Sequence, residues 1–135
     1  MSEPGTARRR WVNEQTVLGE MERLADLSME TVADYAVHSG DAARAEAGYK
    51  SLRARKVLRY RAESTSSRPS MAEAEMTADA DEEVAAAYLL RLTTAAVLET
   101  DREALRSIRV NQDALRTAAA SARDGVIGPG MSGAR

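Results

Sequence analysis

"STSSRPSMAE", residues 64–73, lies between two stretches that each hold a helical period, and its reading decides the fold. Serine and threonine side chains compete with the backbone for hydrogen bonds, and Pro69 disfavours a helical residue before it. A helix arriving from the N-terminal side therefore stops at about residue 63. Ser70 followed three positions later by Glu73 is a capping box, in which each side chain satisfies a backbone N–H of the other, and it opens a new helix at 71. Two long helices joined by so short a connection fold back on one another. The sequence thus predicts an all-α protein, a long antiparallel, coiled-coil-like helical hairpin with arms over about 13–63 and 71–124 and a loop at 64–70.

Outward along the first arm, Val17, Met21, Leu24 and Leu27 recur at the three-to-four spacing of one buried stripe, which continues through Val32 and Tyr35. Nearer the loop, Tyr35, Ala42 and Tyr49 interleave with His38, Ala45 and Leu52 at heptad spacing. "SGD" at 39–41 offers a C-cap glycine followed by an N-cap aspartate, so the arm is expected to be kinked or broken near Gly40. No Gly or Pro interrupts 71–124, and the second arm is expected to run through. Its seam comprises Val84, Ala87, Leu98, Leu105, Ile108, Leu115, Ala119 and Ala122, interrupted by Arg91, Thr94, Asp101 and Gln112, polar positions that set register or partner number. Val84, Leu98, Leu105, Ile108 and Leu115 are the candidate interaction seam. Tyr35, Tyr49 and Tyr88 fall near it, with their hydroxyls at its edge. Residues 1–12, with Pro4, Gly5 and Arg8 to Arg10 ahead of Trp11, read as a flexible basic arm, and 125–135, opening on a capping Gly125, as a Gly-rich flexible tail.

A second feature bears on function. "YKSLRARKVLRYRAE", residues 49–63, holds Lys50, Arg53, Arg55, Lys56, Arg59 and Arg61 in a chain whose formal net charge is -2. A loop centred near 67 sets residue i opposite about 134 minus i, so these bases face "EAEMTADADEEV", residues 73–84, with Glu73, Glu75, Asp79, Asp81, Glu82 and Glu83. Exposed pairs contribute only ~0–1 kcal/mol each, yet opposed blocks fix register and orientation. Internal pairing is therefore the expected main role of the basic block. Arg55, Lys56 and Arg59 share one side of the helix, and with Arg8, Arg9 and Arg10 they are the candidate nucleic-acid contacts.

Composition excludes much chemistry. The 135 residues suit one structural unit. Without cysteine there is no disulfide, thiolate metal site or thiol nucleophile, which suits a reducing cytosol. No uncharged run approaches the ~20 residues of a membrane span, and "MSEPGTARRRW" lacks the apolar run of a secretory signal, so a cytoplasmic location is expected. His38, the single histidine, is expected to interact with the last carbonyls of a helix ending at Gly40. Asp79, Asp81, Glu82 and Glu83 spread around a helix with no loop glycine to fold them into a cage, so no metal is expected. Gly128, Gly130 and Gly133 spell a dinucleotide fingerprint, but no strand precedes them and no helix follows. No catalytic residue, cofactor or metal is expected, and the chain reads as non-enzymatic.

The blocks "AEAGYKSLRARKVLRYRAE", "RPSMAEAE" and "ALRSIRVNQDALRTAAASAR", in that order, resemble a group of small helical accessory proteins of actinobacterial tailed phages over about residues 20–123. Tyr49, Lys50, Arg68, Glu73, Leu115, Arg116 and Thr117 stand at the recurring positions; the loop and the glycine tail depart from the pattern. The resemblance implies an accessory role near phage DNA recombination or replication, in the host cytoplasm or in the virion. The expected partner is a protein, either a phage or host protein or a further copy of the chain, because Ala-rich arms bury little surface alone and favour a homo-oligomer. Direct binding of nucleic acid is the alternative, and a virion component packing as a multimer is a further one.

Overall fold

The computed structural model describes residues 14–63 and 67–132, with side chains over 15–63 and 67–124. The described residues are almost entirely helical, with no strand among them. Helix α1 spans Glu14–Glu63, α2 Met71–Asp79 and α3 Glu82–Ser132. The chain divides into two compact units: residues 33–102, and the segments up to 32 and from 103.

The 33–102 unit is a helical hairpin. His38 meets Asp101, Glu46 meets Arg91, Tyr49 meets Tyr88 and Arg53 meets Asp79, so one arm counts up as the other counts down, which makes the arms antiparallel. Glu46–Arg91 and Tyr49–Tyr88 place residue i against 137 minus i, three residues from the expected 134 minus i. Near the loop the core is small: Val57 packs with fully buried Ala74 and Ala78, and Tyr60 closes against them. Alanine at these positions lets α2 approach α1 closely, because the distance between helix axes follows the side chains at the contact. Ala45 and Val84 complete the buried set of this unit. In the other unit Val17, Leu24 and Ile108 are buried, while Met21, Leu105 and Leu115 are half-buried. The predicted stripe holds at Val17 and Leu24, but Leu27 and Val32 are exposed.

The capping box forms as read: Glu73 N–H donates to Ser70 Oγ at 3.2 Å and Ser70 N–H to Glu73 Oε2 at 3.3 Å. Three expectations are corrected. The first arm is not broken near Gly40, since α1 is continuous from Glu14 to Glu63. A glycine inside a helix costs only ~1 kcal/mol relative to alanine, and here Asp41 is paired within the helix to Arg44 at 2.6 Å rather than capping a new one. The interruption lies instead in the second arm, where α2 ends at Asp79 and α3 starts at Glu82. Ala80 N–H and Asp81 N–H fold back onto the Met76 and Ala78 carbonyls, ending the turn. Finally, α3 passes through Gly125, the expected cap, to Ser132, because glycine weakens a helix without forbidding it. The basic arm at 1–12 lies outside the described residues.

Candidate interaction surfaces

The acid and base blocks meet across the hairpin at two points. Arg53 grips Asp79 with two hydrogen bonds, Nε to Oδ1 at 2.7 Å and Nη2 to Oδ2 at 3.2 Å. Lys56 Nζ lies 3.3 Å from Asp81 and 3.7 Å from Glu83. Two more bases pair within their own helix, Lys50 with Glu46 at 3.1 Å and Arg59 with Glu63 at 2.8 Å. Arg55 is exposed and pairs with no acid among the described residues. Arg61 is half-buried, its Nε enclosed without a hydrogen-bond partner among those residues. Of the candidate nucleic-acid contacts, Lys56 is therefore committed across the hairpin, Arg59 to its neighbour, and Arg55 alone faces outward unpaired. Arg8, Arg9 and Arg10 lie outside the described residues.

Asp81 ties the hairpin together. Its Oδ1 accepts from the Glu83 and Val84 N–H groups at 2.9 and 3.3 Å, capping α3, while Oδ2 accepts from the Tyr60 hydroxyl at 2.8 Å beside Lys56. The Tyr60 hydroxyl above all, and then the Val84 N–H, the Lys56 ammonium and the Glu83 N–H, hold the Asp81 carboxyl down at about 2 against the opposing effect of desolvation. The same contacts raise Lys56 and Tyr60, each led by its hydrogen bond to Asp81. Sequence reading saw Asp81 as one acid among six and missed the cap. The signal was present in Asp81 followed by Glu82 and Glu83, the pattern of a helix start.

Further along, His38 Nδ1 lies 2.5 Å from Asp101 Oδ2, and this hydrogen bond leads a rise in the imidazole pKa to which Asp34 and Asp41 add. The expected contact with helix-terminal carbonyls is thereby corrected: α1 does not end at Gly40, so no orphan carbonyls are there to receive it. Tyr49 and Tyr88 meet as a tilted pair, 5.5 Å between centroids and 56° between planes, and the Arg91 guanidinium sits 5.3 Å above the Tyr49 ring. Tyr49 is half-buried in this contact, whereas Tyr88 remains 44% exposed. The candidate seam residues are covered, Val84 and Ile108 fully and Leu98, Leu105 and Leu115 in part. No group of three metal-ligating side chains occurs among the described residues, and no helix there is long and apolar enough to cross a membrane.

The surface that sequence reading missed is the outer side of α3. Between Val84 and Leu98 the only charge is Arg91, which is turned inward to Tyr49 and Glu46. Leu89, Leu90, Leu92 and Val97 are 61%, 55%, 47% and 43% exposed, whereas the largest fully buried side chain is that of Val84. A helix apolar all round is ordinarily a buried one. Heptad reading scored only the inward stripe and ignored what the remaining positions contained.

Comparison with protein families, characterised proteins and solved structures finds no match to this chain.

Proposed function

We propose that this chain is a non-enzymatic interaction protein that works by packing the outer apolar face of its second long helix against another polypeptide. One observation carries the reading: Leu89, Leu90 and Leu92 of α3 are exposed, while Ala74 and Ala78 fill the contact of α2 with α1 beside Val57. A chain selected only to fold would bury its leucines, since burial of each contributes roughly 1.5–3 kcal/mol. Nucleic-acid binding is disfavoured as the main role because most of the basic block is already paired, leaving Arg55 as the exposed unpaired base of the three candidates on α1. The resemblance to helical phage proteins adds the proposal that the partner belongs to a phage or host assembly, at a DNA-processing site or in a virion. A photo-crosslinking residue placed at Leu92 in cells producing the full chain tests the reading. A polypeptide adduct is the expected product; adducts with nucleic acid alone, or with no macromolecule, overturn it.

A further inference from the structure

We infer that the partner on this face is a second copy of the chain, packed antiparallel across a two-fold axis that passes α3 between Leu90 and Arg91. The inference rests on the interaction reading above and adds the identity of the partner.

Within α3, Ala85, Leu89, Leu92 and Ala96 form one exposed stripe, and their spacings of four, three and four residues read the same in both directions. In an antiparallel pair centred between 90 and 91, each Ala85 meets Ala96 of the other copy, and each Leu89 meets Leu92. Small residues meet at the ends and large ones at the centre. That self-complementarity is what an isologous interface requires, because one patch must fit itself after a half-turn. Ala86, Leu90, Thr93 and Val97 form a second exposed stripe beside the first, so the outer side of α3 is uncharged for about three turns.

The area sets an upper limit. The exposed parts of these eight residues amount to on the order of 600 Å², at the top of the patch sizes monomers carry, and about half of it lies on the self-complementary stripe. Complete burial of both stripes on both copies would remove at most about 1,200 Å² from water, which just reaches the lower bound of stable specific interfaces. Charge marks the limits of the contact. Glu82 and Glu99 flank the stripe at equal distances from its centre, so the antiparallel arrangement brings Glu82 of one copy toward Glu99 of the other. Arg102, 3.2 Å from Glu99, offsets part of that repulsion and confines close packing to the apolar turns.

Sedimentation of the full chain at tens of micromolar tests the inference. The wild type is expected to sediment with the mass of two chains. The double variant Leu89→Lys, Leu92→Lys should sediment as one chain with an unchanged far-UV spectrum, because both positions are already exposed. Glu82→Arg distinguishes the orientations: opposite Glu99 at two symmetric contacts it tightens an antiparallel dimer by up to about thirtyfold, whereas in a parallel pair the new cation faces its own copy and loosens it. A monomeric wild type, a double variant that stays dimeric, or a Glu82→Arg variant that dimerises less tightly overturns the inference. A monomer that still crosslinks through position 92 to a different polypeptide overturns the dimer alone; a monomer that crosslinks to none overturns the interaction reading with it.

Discussion

Replacing Ala78 with leucine tests whether the hairpin is closed by small residues at the point where α2 crosses α1. Ala78 has no solvent exposure and touches the cluster of Val57 and Ala74 that Tyr60 covers. Leucine adds three heavy atoms where there is no outlet to solvent, so either the helices separate or Val57 and Tyr60 leave their preferred rotamers. Overpacking of this kind costs about 1–3 kcal/mol. For a unit of this size each kcal/mol lowers Tm by about 4–8 °C. Alanine and leucine have nearly the same helix propensity, so the loss reports packing rather than α2 itself. The control is Ala72→Leu, the same change on the exposed side of the same helix. Thermal and urea melts followed by circular dichroism should show Ala78→Leu destabilised and Ala72→Leu close to wild type. If the two variants melt together with the wild type, alanine is not what sets the closeness of the arms and the account of the core fails.

Gly40→Ala should raise stability by up to about 1 kcal/mol, because α1 is continuous there and the new methyl meets only the flexible end of Arg44, at 3.3 Å; a loss in urea melts would show that the helix needs glycine at this point. Asp81, held at about 2 in the fold against 3.8 ordinarily, contributes stability that is present above pH 4 and drains as pH falls toward 2, so Asp81→Asn should flatten the acid limb of a pH-melt series. His38 titrates in the opposite sense: its pKa is raised by Asp101, so its contribution is complete below about 6.5 and is lost as pH rises through the folded value, a loss that His38→Gln should abolish and that imidazole chemical shifts should track.

The polar punctuation of the hairpin was legible because it is local. Ser70 and Glu73 lie three residues apart, and their pairing follows from helix geometry whatever surrounds them. The seam at Val84 and Ile108 was legible because heptad spacing marks one face. Gly40 misled for a physical reason: a cap signal at "SGD" competes with the packing of the residues on either side, and the helix-forming residues around it outweigh a penalty of ~1 kcal/mol. Asp81 was legible only in part. The acids that follow it mark a helix start, whereas the Tyr60 hydroxyl and Lys56 ammonium that meet its carboxylate come from distant positions on α1 and have no local signature. The cross-arm pairs were foreseen as blocks, but not which base takes which acid, since Arg53–Asp79 and Lys56–Asp81 depart from the expected register in opposite directions.

The division of labour between polar and apolar residues leads to a last prediction, that stability of the chain rises with its own concentration. Orientation and register are set by Arg53–Asp79, Lys56–Asp81, Arg91–Glu46 and His38–Asp101, of which the more exposed pairs, Arg53–Asp79 and Arg91–Glu46, specify the arrangement but add little energy. The 33–102 hairpin buries two valines and three alanines, a thin core for an ordered segment of that length. Leu89, Leu90 and Leu92, which could enlarge that core, are instead exposed on α3, so their burial and its stabilisation arrive only on association. A protein whose folded form binds itself gains stability by mass action, so Tm should climb steadily as concentration rises from micromolar to hundreds of micromolar. For the variant Leu89→Lys, Leu92→Lys the same series should be flat and coincide with the dilute wild type. A wild-type Tm that is independent of concentration and equal to that of the variant would mean that the hairpin core is sufficient alone and that the outward leucines contribute nothing to keeping it folded.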